Sequence, residues 1–142
     1  QRTIAGIDPL PGAQDFLDEL RSLTQVIILS DTFTQFAKPL MKKLRFPAIF
    51  CNTLETDSSG EVTGYRLRQQ NGKYHAVAAF QSIGYQVIAS GDSFNDLEML
   101  RRAEKGFLFR PPQHIADSNP QFPAFTEYSG LLEAVRPFLA LP

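Results

Sequence analysis

The chain has 142 residues, enough for one domain with a single core, and its 43% hydrophobic and 20% charged residues are an ordinary globular balance. A net charge of −1 gives no electrostatic reason to expect nucleic acid or an anionic membrane surface as partner. The one cysteine, Cys51, excludes an internal disulfide, no apolar run approaches ~18 residues, and "QRTIAGIDPL" carries no leader pattern, so a cytoplasmic protein without a membrane span is expected.

In chain order, "DPLPGAQDFLDELRSL" opens on a Pro/Gly turn and then sets Phe16, Leu17 and Leu20 on one helical face. "QVIILS" (25–30) is short, apolar and rich in β-branched residues, the pattern of a strand buried on both faces. "TFTQFAKPLMKKLRF" predicts an amphipathic helix with Thr32 or Thr34 as cap, starting late or kinked because of Pro39. "PAIFCNTLE" reads as a strand, and "TLETDSSGEVTGYRL" as a hairpin turning at "DSSG". "KYHAVAAFQSIG" is a helix closed by Gly84, "YQVIAS" a strand, "NDLEMLRRAEK" a helix and "GFLF" a strand. A Pro-rich loop follows, with one helical turn at 113–117, and "YSGLLEAVRPFLA" is the last helix. Alternating strands and helices predict an α/β fold: a Rossmann-like, mainly parallel sheet with helices on both faces, plus the β-hairpin near residues 50–68, all in a single domain over 1–142.

Ligands of such sheets bind beyond the carboxyl ends of the strands. "VIILSDT" and "VIASGDSFND" both end an apolar strand in small and acidic residues, and both are expected to empty into one crevice. Asp92 and Asp96 stand four residues apart. At ~5 Å and an effective dielectric near ~20, two carboxylates repel by about 3 kcal/mol. Keeping both ionised calls for a cation, and a hard oxygen site with few protein ligands suits Mg²⁺. The plainer reading is that Asp96 only complements a helix N-terminus, with Ser93 or Asn95 as cap. Ser30, at a strand end, can bind a phosphate oxygen or merely cap the next helix. Lys73, just before a helix, can neutralise a phosphate or stay solvated. His75 and His114 have no motif around them and read as surface residues, and Cys51 as inert packing.

In this order, the serine after an apolar strand, the lysine before a helix and "GDSFND" resemble the haloacid dehalogenase superfamily of phosphatases. Within it, "PLPGAQDFLDELRSLTQVIILSDTF", "PLMKKLRFP", "GYRLRQ", "LFRPP" and "PQFPAF" look like the phosphoserine phosphatase/homoserine phosphotransferase group. The resemblance implies that Ser30, Asp31 and Thr32 meet a small phosphate-monoester substrate and that Lys73 stabilises the charge of nucleophile and phosphate. It implies that Asp92 ligates Mg²⁺, that Asp96 supports the metal through water or hydrogen bonds, and that Ser93 and Asn95 complete the loop. The family reaction passes through an aspartyl-phosphate, resolved by water or an acceptor alcohol.

The resemblance also implies a first motif, Asp-x-Asp at the end of a central strand, followed by a cap domain. Neither is in this sequence, and Asp8 and Asp15 follow no apolar strand. The expectation is therefore a C-terminal portion that lacks the nucleophile and is inactive alone. Without the central strand, the strands at 26–30 and 86–90 are expected to pair directly, to admit "RTIAGI", or to be filled within a homo-oligomer or by a complementary N-terminal segment. The alternative in a different class is a non-catalytic metal- or phosphate-binding fragment. A receiver-type signalling domain fails on order, because its acids lie early and this pair lies late.

Overall fold

The computed structural model describes residues 6–139, and the chain forms two compact units, 1–72 and 73–142. No helix among the described residues is long and apolar enough to cross a membrane.

In the first unit, α1 (Ala13–Leu23) starts after Gly12, whose φ of +85° makes the turn that "PLPG" predicts. Strand β1 (Ile27–Phe33) leads into α2 (Thr34–Lys43), then β2 (Ala48–Thr56) and β3 (Val62–Arg66). β1 and β2 run parallel, while β2 and β3 form the expected antiparallel hairpin. The hairpin turn is fixed by Asp57, whose Oδ1 accepts from the Ser59 and Glu61 N–H groups and from the Ser59 hydroxyl, with Gly60 at φ +84°. Ala37, Met41 and Leu44 of the α2 region form the buried core, with Leu17, Ile28, Leu40 and Ile49 packed against them. Ion pairs tie α2 to α1 and the preceding turn: Lys43 to Asp8 at 2.8 Å and Arg45 to Asp18 at 3.1 Å.

Three expectations change here. β1 is half-buried rather than buried on both faces, because it is the end strand of the order β1-β2-β3. Neither threonine caps α2: Phe33 occupies the cap position, and the Thr34 hydroxyl donates to the Asn52 carbonyl at 3.1 Å. Gln35 turns to β2 as well, its Nε2 donating to the Leu54 carbonyl at 2.9 Å and its Oε1 accepting the Leu54 N–H at 3.1 Å. Pro39 is accommodated inside α2, as the sixth of its ten residues.

The second unit holds all but the first residue of α3 (Gly72–Ser82), with Lys73 in its first turn, then β4 (Ile88–Gly91) and a 3₁₀ turn (Phe94–Asp96). It continues with α4 (Leu97–Arg102), β5 (Lys105–Phe109), α5 (Gln113–Ser118), β6 (Ala124–Phe125) and α6 (Tyr128–Leu139). The three strands are parallel, in the order β4-β5-β6. Gly84, at φ +94°, closes α3 as expected, its N–H on the Gln81 carbonyl. Val77, Leu100, Phe107 and Leu108 are fully buried, and each such side chain contributes about 1.5–3 kcal/mol. Glu104 latches the unit, accepting from the Val87 N–H at 2.6 Å and from Gln81 Nε2 at 2.9 Å.

The α/β class, the mainly parallel pairing and the hairpin are thus observed. Direct pairing of the two apolar strands is not: among the described residues β1 pairs only with β2, and β4 only with β5. Each strand satisfies one of its edges within its own sheet. The alternative through "RTIAGI" falls largely on residues outside the described ones.

Candidate active site

Strand β4 ends at Gly91, and the chain turns through Asp92 and Ser93 into the 3₁₀ turn and α4. The first N–H groups of any helix lack intrahelical partners. Here the Asp96 carboxylate folds back to supply them. Its Oδ2 accepts the Asp92 N–H at 2.9 Å, the Ser93 N–H at 3.1 Å and the Ser93 hydroxyl at 3.3 Å. Its Oδ1 accepts from Lys73 Nζ at 2.7 Å. Both partners are shielded, with side chains 15% and 8% exposed for Lys73 and Asp96. Burial pushes the Asp96 carboxyl up, but the Lys73 hydrogen bond, the Asp92 N–H, the lysine charge and the Ser93 N–H outweigh it and hold the group below its ordinary value.

Asp96 thus has the helix-start role weighed from sequence, and the cation beside it in the fold is the Lys73 ammonium rather than the Mg²⁺ that the spacing suggested. A carboxylate has about four acceptor positions, two on each oxygen; three contacts crowd Oδ2, and Lys73 takes one position of Oδ1. Asp92 differs: its residue is exposed, and its carboxylate has no hydrogen-bond partner among the described residues. Asn95 is likewise exposed. No cluster of three or more His, Cys, Asp or Glu that could hold a metal occurs among the described residues. One open carboxylate on a rigid loop still fits a contribution to Mg²⁺, which is held through one or two carboxylates and keeps much of its water.

Gly91 makes the fold-back possible. A Cβ built there would lie 2.5 Å from the Asp96 Cβ and 2.6 Å from its Oδ2. Gly91→Ala is therefore expected to displace Asp96 and destabilise the chain by about 1–3 kcal/mol, the range for overpacking. A urea melt checks this, and an unchanged midpoint would mean that the loop yields without loss.

Ser30, Asp31 and Thr32 belong to the first unit, at the carboxyl end of the β1/β2 pairing. The ladder runs Ile27↔Ala48 to Leu29↔Phe50 and resumes at Phe33↔Asn52, so Ser30–Thr32 bulge opposite Cys51 alone. The bulge sits within β1, not in a turn after it as the sequence suggested. The Ser30 Oγ accepts the Thr32 N–H at 3.2 Å, which leaves its proton to donate. Asn52 is the residue that sequence reasoning missed. It is 8% exposed, and its Nδ2 donates to the Asp31 carbonyl at 3.1 Å while its Oδ1 accepts the Arg68 N–H at 3.0 Å. A polar residue in the apolar run "IFCNTL" was the available signal. His75 and His114 are exposed, as read, and Cys51 is half-buried.

A family model described as a haloacid dehalogenase-like hydrolase matches residues 2–104. The chain is 50% identical over 131 residues to a protein of Pseudomonas aeruginosa named phosphoserine phosphatase ThrH, covering 92% of this chain and 64% of that protein. It is 46% identical to a phosphoserine phosphatase of Pseudomonas syringae pv. tomato, covering 92% of this chain and 55% of that protein. The chain therefore spans less than two thirds of the length of either relative. Among solved structures, a phospho-aspartyl intermediate analogue of a phosphoserine phosphatase superposes with a TM-score of 0.76 at 21% identity, covering 94% of this chain and 67% of that one. At that identity the likeness speaks for the fold alone.

Proposed function

The chain belongs to the haloacid dehalogenase-like hydrolase family, and on that premise we propose that it is the part of a phosphatase/phosphotransferase core that handles the metal and phosphoryl charge of a small phosphoserine-like monoester. The observation that carries this reading is the pairing of Lys73 with Asp96 beneath an open Asp92, at the carboxyl end of a parallel strand. The relatives' names support the substrate class.

In this reading Asp92 offers its carboxylate to Mg²⁺, and Asp96 acts through others, fixing the Asp92 and Ser93 amides and aiming Lys73. Lys73 offsets negative charge on nucleophile and phosphoryl oxygens. Asn95 offers an amide from the same loop. Ser30, with Asp31 and Thr32 around it, donates its hydroxyl proton to a phosphoryl oxygen. Bound Mg²⁺ supplies electrostatic stabilisation of the charge that develops on the transferring group. The attacking carboxylate belongs to an Asp-x-Asp segment, a pattern found nowhere in these 142 residues. That gap favours a secondary reading in which the chain binds metal or phosphate without catalysing, until a complementary segment is supplied.

Isothermal titration with Mg²⁺ tests the metal role. Weak saturable heat is expected from the wild type, and heat at least severalfold smaller at equal Mg²⁺ from Asp92→Asn. Equal responses would remove Asp92 from that role.

A further inference from the structure

Arg110 follows β5 directly and precedes Pro111 and Pro112. Its φ is +49°, in the left-handed region that favours glycine. A residue before proline ordinarily adopts extended backbone instead. A bulky residue held there needs its surroundings to hold it, and such outliers gather at functional sites.

The side chain is also fixed. Its backbone N–H donates to the Phe125 carbonyl at 2.8 Å, and its Nε donates to the Thr126 carbonyl at 2.7 Å. The guanidinium lies 4.9 Å from the Phe109 ring centroid and 5.2 Å from that of Tyr128. Those rings pack together, 4.6 Å apart. The backbone bond anchors the residue, and the Nε hydrogen bond with the two rings sets the plane of the guanidinium. Its two Nη groups have no hydrogen-bond partner among the described residues, and the residue is exposed. An arginine needed only for packing could lie in many rotamers, whereas a fork locked by Nε with both Nη groups open suits bidentate capture of an oxyanion.

The register gives the fork its address. β4 and β5 are parallel, with Gly91 opposite Leu108. Asp92 follows the last paired residue of β4, and Phe109 and Arg110 follow the last residue of β5 paired with β4, so Asp92 and Arg110 both leave that ladder at the same carboxyl edge. We propose that Arg110 is an anion-recognition residue of this edge, its open fork receiving an oxyanion of the substrate handled by the Asp92 loop. The oxyanion is the phosphoryl group or the carboxylate of a phosphorylated amino acid. The inference rests on the proposed function for the identity of the substrate, but not for the existence of the anion site.

The experiment follows the arginine Nε–H signals of the whole 142-residue chain by ¹H–¹⁵N NMR. The Arg110 signal is identified by its loss in Arg110→Lys. Inorganic phosphate, L-serine and O-phospho-L-serine are then titrated separately. A saturable shift of the Arg110 signal with O-phospho-L-serine is expected. The same shift with phosphate alone assigns the phosphoryl group, and with L-serine alone the carboxylate. Arg110→Gln should bind O-phospho-L-serine roughly tenfold more weakly or worse, as losing a charge-assisted hydrogen bond implies. Arg110→Lys should fall between. An Arg110 signal silent to all three anions, or wild-type affinity in Arg110→Gln, overturns the proposal. Silence at Arg110 with weaker binding in Asp92→Asn overturns this inference and leaves the phosphatase reading standing. A responding Arg110, with Asp92→Asn and Lys73→Ala binding as the wild type does, supports the anion site and overturns the phosphatase reading. Where a variant does not fold, the wild-type titration decides.

Discussion

Incubated with O-phospho-L-serine and Mg²⁺, the 142-residue chain is expected to release phosphate no faster than the buffer does. Enzymes accelerate the hydrolysis of phosphate monoesters by up to ~10²¹-fold. In the proposed reading, the groups within these residues are the electrostatic ones: Lys73, Asp92, Asp96 and the Ser30 hydroxyl. By analogy with hydrolytic triads, what remains after removal of a nucleophile is about 10³–10⁴-fold. Applied to so slow a reaction, that remainder is invisible in a phosphate-release assay. Measurable turnover that Lys73→Ala abolishes would place the nucleophile within these residues and overturn the assignment of roles.

The second large effect is on stability. Asp96→Ala is expected to destabilise the chain by about 3–5 kcal/mol, the range for removing one partner of a buried ion pair. The variant removes the carboxylate that the shielded Lys73 ammonium donates to, and it strips the Asp92 and Ser93 N–H groups of their acceptor. The pair also sets an acid limit. The Asp96 carboxyl is held below the ordinary aspartate value in the fold, so the stability it contributes is present above that ordinary value and is lost as pH falls through the depressed folded one. Glu104 is lowered as well: burial, the largest single cause, raises it, but the Val87 N–H and Gln81 with lesser contributions outweigh that, and it adds to the same acid slope. The difference between wild type and Asp96→Asn isolates the Asp96 share. Chemical denaturation from pH 6 downward, at ~0.5-unit steps, should give the wild type the steeper acid loss. Parallel curves for the two proteins would show that Lys73 and Asp96 are not coupled in the fold.

How much of this could be read from the sequence depends on how local each signal is. The helix faces, the "DSSG" turn and the Gly84 stop are set by residues within a few positions of one another, and they stand where periodicity and turn chemistry put them. The bulge at Ser30–Thr32 was not legible. Extra residues in a strand leave its composition unchanged, and the bulge is defined only against β2. β6, two residues long, is too short to show a period. The lost cap of α2 has a tertiary cause, since the Thr34 hydroxyl is turned to β2, where it donates to the Asn52 carbonyl instead of accepting an N–H of its own helix start. In the candidate site, spacing alone singled out Asp92 and Asp96 but could not separate their roles. Lys73 pairs with Asp96 across 23 residues, a separation at which no local rule operates; the family resemblance singled out both residues but not their pairing. The need for glycine at 91 shows only once the Asp96 side chain is seen lying on that backbone.

The double hydrogen bond between Gln35 and Leu54 bears on how the chain behaves in company. β1 pairs with β2 as far as Asn52, while β3 takes the opposite side of β2 from Thr53 onward. Beyond Asn52, the side of β2 that β1 has left would be a bare ladder of donors and acceptors, a template for any passing strand. Gln35 closes that template by imitating a peptide group, one N–H and one C=O in the register a neighbouring strand would offer. A side chain on a helix so acts as a one-residue false strand. Deamidation of Gln35 to glutamate would keep the acceptor for the Leu54 N–H but set a negative charge against the Leu54 carbonyl, so half of this mimicry would be lost.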